Sequence, residues 1–103
     1  MANRKLVRDK LAVPIQQTYP NSDFTKINGT EYEFALKQKL QEETQEFLQA
    51  TSIDNLIEES ADILEVLECL LALHNITISD VLAEKAAKQS NRGSFKDGLI
   101  WEK

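Results

Sequence analysis

The sequence predicts an all-α protein, a helical bundle completed by association of copies. Three observations carry that expectation. Between residues 30 and 89, apolar side chains recur at helical spacing in three successive stretches. The middle stretch is apolar over more than half its circumference, more than so short a chain can cover by itself. The first two stretches each set a pair of acids on or beside their apolar stripe, Glu43 with Glu46 and Glu59 with Asp62. Residues 1–103 read as a single domain, with neither an internal repeat nor a low-complexity tract to divide them.

Taken in order, Lys5-Leu6-Val7-Arg8-Asp9-Lys10 sets a short apolar core between charges and suits an extended arm or brief strand, with a helix as the alternative. Pro14 and Pro20 bracket Ile15 to Tyr19, room for a turn or two of helix with Pro14 in the first turn, where a missing N–H is harmless. Tyr19 to Gly29 is polar and reads as loop, anchored by Phe24 and Ile27. The first long helix is expected from Thr30, paired with Glu33 in a capping box, to about Ala50, through an interior of good helix formers. Thr51, Ser52 and Asp54 break it and cap the next.

The second long helix is expected from about Ile53 to Leu73. Its wheel is apolar through Leu56, Ile57, Ile63, Leu64, Val66, Leu67, Leu70, Leu71 and Leu73, and only the sector of Glu58, Glu65 and Glu68 is polar. A homodimer or homotetramer is the natural way to cover it, with Leu70 and Leu73 as candidate contacts. Thr77, Ser79 and Asp80 announce a third helix from about Ser79 to Gln89, which Asn91, Arg92 and Gly93 end. The tail from Ser94 to Trp101 carries an Asp97-Gly98 turn signal and strand-type residues, and allows a short terminal β pairing with the N-terminal arm.

Composition narrows the function classes. A net charge of −5 argues against a general nucleic-acid or membrane-surface binder, both of which favour basic patches. The single cysteine, Cys69, excludes an internal disulfide framework and a cysteine-rich zinc site. With neither a signal-peptide pattern nor a membrane-length apolar run, a cytoplasmic location is expected.

The acids carry the chemistry. Residues three apart on a helix share a face, so each pair forms a clamp, and a short antiparallel connection lets the clamps face each other. Carboxylates on apolar faces need a partner. Oxygen donors without histidine or cysteine favour Mg²⁺, or Mn²⁺, over zinc or copper. The plainer alternative is a solvated helix face, which the repetition on two apolar stripes disfavours. Glu42 and Glu58 either orient water beside a metal or face solvent, and the polar sector favours solvent for Glu58. His74, at a helix end, reads as a cap or surface residue. Lys85, Lys88 and Arg92 share one face, with Lys96 beyond it. They suit a polyphosphate or, equally, complement a helix C-terminus.

The combined pattern resembles the all-α nucleoside triphosphate pyrophosphohydrolases, the MazG-like group and its relatives, including phosphoribosyl-ATP pyrophosphohydrolase. Their Glu-Glu-x-x-Glu followed by Glu-x-x-Asp is matched by Glu42-Glu43-Thr44-Gln45-Glu46 and Glu59-Ser60-Ala61-Asp62. The opening Lys5 to Lys10 and the closing Lys88 to Phe95 resemble one subgroup of small single-domain members, though Leu11-Ala12-Val13-Pro14 stands where that subgroup places Ile-Pro. The resemblance implies hydrolysis of a nucleoside triphosphate between the α and β phosphates, Mg²⁺ on Glu43, Glu46, Glu59 and Asp62, and Glu42 with Glu43 as the catalytic pair, Glu42 as base or water-orienting group. It implies substrate phosphates on Lys88 and Arg92, and dimers or tetramers. Base and sugar stay open, and nothing marks a histidine-pathway enzyme specifically. The competing expectation is a non-catalytic helical oligomer that keeps the bundle as a regulatory or binding protein.

Overall fold

The computed structural model describes residues 4–103. An extended arm leads into a 3₁₀ turn, Asp9–Leu11, and a short helix α1, Ala12–Thr18, with Pro14 inside its first turn. Two long helices follow, α2 over Gly29–Gln49 and α3 over Ile53–Ala72, and then α4 over Ile78–Arg92. All regular structure among the described residues is helical.

Local chemistry sets most of these boundaries. The Ser52 hydroxyl accepts from the Asn55 N–H at 3.1 Å and starts α3, satisfying one of the orphan donors of a first turn. At the other end, the Ile76 N–H reaches the Leu71 carbonyl and the Asn75 N–H the Ala72 carbonyl, with Asn75 left-handed at φ 58°. That is a Schellman termination with asparagine in the usual glycine place. Thr77 and Asp80 then close a reciprocal capping box on α4, at 3.2 and 2.9 Å, and Gly93 ends it at φ 82°. Helix α4 therefore runs three residues past the expected Gln89.

Two expectations need correction. The Thr30–Glu33 capping box does not form: α2 starts a residue earlier, at Gly29 behind Asn28, with no side-chain cap. Glu33 is drawn instead to Lys37 and His74, each at 3.2 Å, and a carboxylate between two basic groups has little reason to turn back to its own backbone. The terminal β pairing is also missing among the described residues. The arm is held by side-chain ion pairs, Arg4 to Glu31 at 3.2 Å and Arg8 to Asp62 at 2.6 Å. The tail makes one turn, with the Gly98 N–H on the Phe95 carbonyl, and leaves Phe95, Leu99, Ile100 and Trp101 more than four-fifths exposed.

The core sits between α2 and α3, the main packed pair of helices. Leu36 and Val66 are its buried apolar residues among the described ones. Much of the apolar circumference of α3 stays in solvent, including Ile53, Ile57 and Leu64, and only Ile78 and Val81 of α4 are even half-buried. The radius of gyration, 17.6 Å, compares with about 13 Å for a compact domain of this length. The accessible surface of 9326 Å² exceeds by roughly 3,400 Å² what a globular monomer of this mass exposes.

Candidate active site

The three-residue connection after Gln49 turns α3 back along α2, so the inward stripes of both helices face one another. Carboxylate oxygens of Glu43, Glu46 and Glu59 come within 4.8 Å of one another. Oxygens on opposite sides of one hard divalent cation stand about 4.0–4.2 Å apart around Mg²⁺ and about 4.6–5.2 Å around Ca²⁺, so these three lie close enough to share an ion, with a small inward shift for the smaller one. Glu43 is buried, Glu59 half-buried and Glu46 exposed. Oε2 of Glu43 and Oε2 of Glu59 are buried with no hydrogen-bond partner, a costly arrangement for an ionised oxygen.

The electrostatics record the crowding. Loss of water, then the neighbouring Glu46 and Glu43, pushes the Glu59 carboxyl up to about 7. Burial, then Glu46, raises Glu43, while Glu59 pulls it partly back. Acids forced together without a counter-ion hold their protons longer.

Asp62, the fourth acid of the sequence pattern, stands beside this trio and not within its converging oxygens. Its Oδ1 accepts from Arg8 Nη2 at 2.6 Å. Asp62 and its neighbours in turn hold the guanidinium more firmly charged. Glu42, half-buried at the edge of the cluster, lies 3.4 Å from Lys5 Nζ and 3.5 Å from Lys39 Nζ. Lys39 is also 3.5 Å from Glu43. Glu58 faces solvent.

A cleft of about 420 Å³ opens between the arm and the α2–α3 pair. Leu6, Val7, Tyr32, Leu36, Val66 and Cys69 give it an apolar lining, and Arg8, Lys39, Glu43 and Asp62 line it too. Burial raises both Tyr32 and Cys69, so at neutral pH they present a phenol and a thiol. Lys85 and Lys88 line a different cleft, of about 700 Å³, between α4 and the tail, to which α2 and α3 contribute nothing. Arg92 is exposed at the end of α4. Within one chain, the carboxylates and the α4 cations thus occupy separate surfaces.

Arg8 and Lys39 join the site only in the folded chain, on Asp62 and on Glu42 and Glu43. For Lys39 a signal exists: it lies three and four residues before Glu42 and Glu43, on their helical face. For Arg8 the signal is its place in the Lys5 to Lys10 opening that resembles small family members; periodicity offers none, because 54 residues separate it from its partner.

The family model of phosphoribosyl-ATP pyrophosphohydrolase matches residues 9–89, a span holding both acid pairs, the whole α2–α3 hairpin and most of α4. The chain belongs to this family. Its members' chemistry is hydrolysis of an acid anhydride, the pyrophosphate linkage of a nucleotide. The matched span begins just after Arg8 and stops short of Arg92. No curated protein and no solved structure matches the chain. Among the described residues, no helix is long and apolar enough to cross a membrane.

Proposed function

We propose that this chain is a divalent-metal-dependent nucleotide pyrophosphohydrolase, a single domain over residues 1–103 that works as a homo-oligomer. It would cleave a nucleoside triphosphate, or a related nucleotide such as phosphoribosyl-ATP, between the α and β phosphates to give a monophosphate and pyrophosphate. The observation that carries this reading is the convergence of Glu43, Glu46 and Glu59, with two buried carboxylate oxygens lacking any partner. Family membership supplies the reaction class.

In this reading Glu43, Glu46 and Glu59 hold Mg²⁺ or Mn²⁺, with Asp62 adjoining. When bound, the ion supplies Lewis acidity and neutralises phosphate charge. Glu42 takes the proton of the attacking water, or orients that water. The water oxygen bonds to phosphorus, the anhydride P–O bond breaks, and its electron pair leaves with pyrophosphate. Lys39 and Lys5 hold the Glu42 carboxylate at the edge of the cluster.

Assembly follows from area. An excess of roughly 3,400 Å² per chain, or about 6,800 Å² for a pair, lies at the upper end of what obligate interfaces remove, and the uncovered apolar residues of α3, α4 and the tail would supply it. Because α4 packs little on its own chain, Lys88 and Arg92 would reach the carboxylates from a second copy.

The deciding experiment is pyrophosphate release from a panel of canonical and modified nucleoside triphosphates and phosphoribosyl-ATP, with Mg²⁺ or Mn²⁺. At least one substrate should turn over and stop turning over in EDTA. Silence across the panel would overturn the catalytic reading in favour of a non-catalytic helical oligomer.

A further inference from the structure

We infer that Arg8 is a substrate-binding residue: its guanidinium, seated on Asp62 in the cleft beside the acid cluster, takes phosphate oxygens of the substrate. This deepens the hydrolase reading, on which it rests, by assigning the anion contact of that site to the N-terminal arm.

The first support is position. Arg8 lines the same cleft as Glu43 and Asp62, and a space of about 420 Å³ falls within the range of small-molecule sites. Beside the apolar residues, the cations Arg8, Lys10 and Lys39 and the acids Asp9, Glu43, Asp62 and Glu65 line the cleft, a mixture that fits a ligand with both an apolar and an anionic part.

The second support is what the guanidinium leaves unused. Arginine presents five N–H donors in a fixed fork. Here Nη2 serves Asp62, and among the described residues the remaining donors make no hydrogen bond to protein. The side chain is 54% exposed. An ion pair so open adds little to stability, whereas the outward part of the fork matches two oxygens of a phosphate.

The third support is the charge balance. A polyphosphate approaching this site meets carboxylates whose oxygens lie within 4.8 Å of one another. Lys39 is engaged by two of those carboxylates. Lys10 also lines the cleft but makes no ion pair among the described residues, whereas Arg8 is anchored on Asp62 and still has donors to spare. Asp62 links the two demands, since a divalent cation drawn to Asp62 competes with Arg8 for the same oxygens. Metal binding would then loosen the guanidinium toward phosphate, and removing Arg8 should make metal binding easier while making phosphate binding harder.

These opposite signs are the test. The proteins are the full-length wild type, Arg8→Ala, Arg8→Lys, and Arg4→Ala, which loosens the same arm at its exposed pair with Glu31. Mn²⁺ binding without nucleotide is followed by electron paramagnetic resonance. Binding of inorganic pyrophosphate to the Mg²⁺-loaded protein is followed by calorimetry, and KM and kcat are taken for the best substrate of the panel. Arg8→Ala should bind Mn²⁺ at least as tightly as wild type, bind pyrophosphate at least tenfold more weakly and raise KM. Arg8→Lys should recover part of the loss, and Arg4→Ala should stay close to wild type. If wild type binds Mn²⁺ and turns over but Arg8→Ala matches it in pyrophosphate affinity and KM, the inference falls and the hydrolase reading stands. An equal loss in Arg4→Ala also overturns it, because arm order alone then suffices. A wild type that neither binds Mn²⁺ nor turns over removes both.

Discussion

Replacing Glu43 by glutamine should reverse the stability order of two proteins according to whether metal is present. Glu43 is 6% exposed, and its oxygens lie within 4.8 Å of those of Glu46 and Glu59. Two full charges at that distance repel by about 1 kcal/mol in water and about 3.5 kcal/mol at an effective permittivity of 20. Glu46 is exposed and its repulsion belongs near the lower value. The lost attraction of Lys39, 3.5 Å away and itself only about a quarter exposed, is about 4.7 kcal/mol at the same permittivity, so the attraction and the repulsions nearly cancel. What remains is the relief of no longer burying a charged, unpartnered Glu43 oxygen, about 1–2 kcal/mol in favour of the metal-free variant, or roughly 5–10 °C in Tm for a domain of this size.

With Mg²⁺ the order should invert. At a free concentration 100 times Kd, wild type gains about 2.7 kcal/mol, whereas a variant binding about 100-fold more weakly gains only about 0.4 kcal/mol. Thermal unfolding at pH 8, where Glu59 is ionised, is run in EDTA and then through a Mg²⁺ titration. The expected curves cross: the variant melts higher without metal and wild type melts higher with it. A variant that melts below wild type in EDTA and gains as much from Mg²⁺ would refute the reasoning, since Glu43 would then be an ordinary packed side chain.

The remaining predictions concern protons, assembly and the α4 cations. The native protein holds a proton on Glu59 up to about 7, against an ordinary value of 4.5, so it binds more protons than the unfolded chain between those limits. Metal-free stability should therefore fall as pH rises from about 4.5 to 7 and level off above it; a flat profile in EDTA would contradict the crowding. Mg²⁺ binding should release protons at pH 6 and few at pH 8.5, read as a dependence of calorimetric heat on buffer ionisation enthalpy. Light scattering at micromolar concentration should give at least a dimer, and a monomeric mass would exclude the assembly. Lys88→Ala and Arg92→Ala should cost about ten- to hundredfold in kcat/KM with unchanged Mn²⁺ affinity, and wild-type kinetics in both would reduce them to surface charge. Mixing Glu43→Gln with Arg92→Ala subunits should restore about a quarter of wild-type activity if copies exchange freely in a dimer. Restoration no greater than the sum of the two parents would place Lys88 and Arg92 within their own chain's site.

What the sequence could reveal was set by range. Glu43 beside Glu46, and Glu59 on the facing stripe, follow from a period of 3.6 residues and a short turn, so their meeting was legible before any coordinates. The caps of α3 and α4 were legible for the same reason, because Ser52, Thr77 and Asp80 act within three residues of themselves. Glu33 shows where local reading fails. Its place after Thr30 satisfies the capping pattern, yet Lys37 and His74 offer a carboxylate more than a single backbone N–H does, and His74 arrives from the end of another helix. The tail fails in the same way, since strand-type residues pair only when an edge is within reach, and the arm's cations are already taken up by acids on α2 and α3.

Charge explains the most consequential omission. The acids of this site could be found by asking which carboxylates sit on apolar faces, because burial makes an unpaired acid conspicuous. Their cations pass no such filter. Arg8 and Lys5 are exposed residues of an extended arm, marked in sequence by the family-like opening they belong to and by no helical period that would tie them to the acids. They acquire meaning only when the arm lies along the hairpin and brings Arg8 Nη2 to 2.6 Å from Asp62. The late basic cluster drew attention because Lys85, Lys88 and Arg92 share a helical face, a regularity that periodicity detects. In the folded chain that face borders a separate cleft with the tail, and the cations beside the carboxylates are the aperiodic ones. A polyphosphate needs positive charge where the acids are. The arm supplies it from within the chain, whereas α4 can supply it only across an interface, and that difference is why Arg8 and Arg92 call for separate experiments.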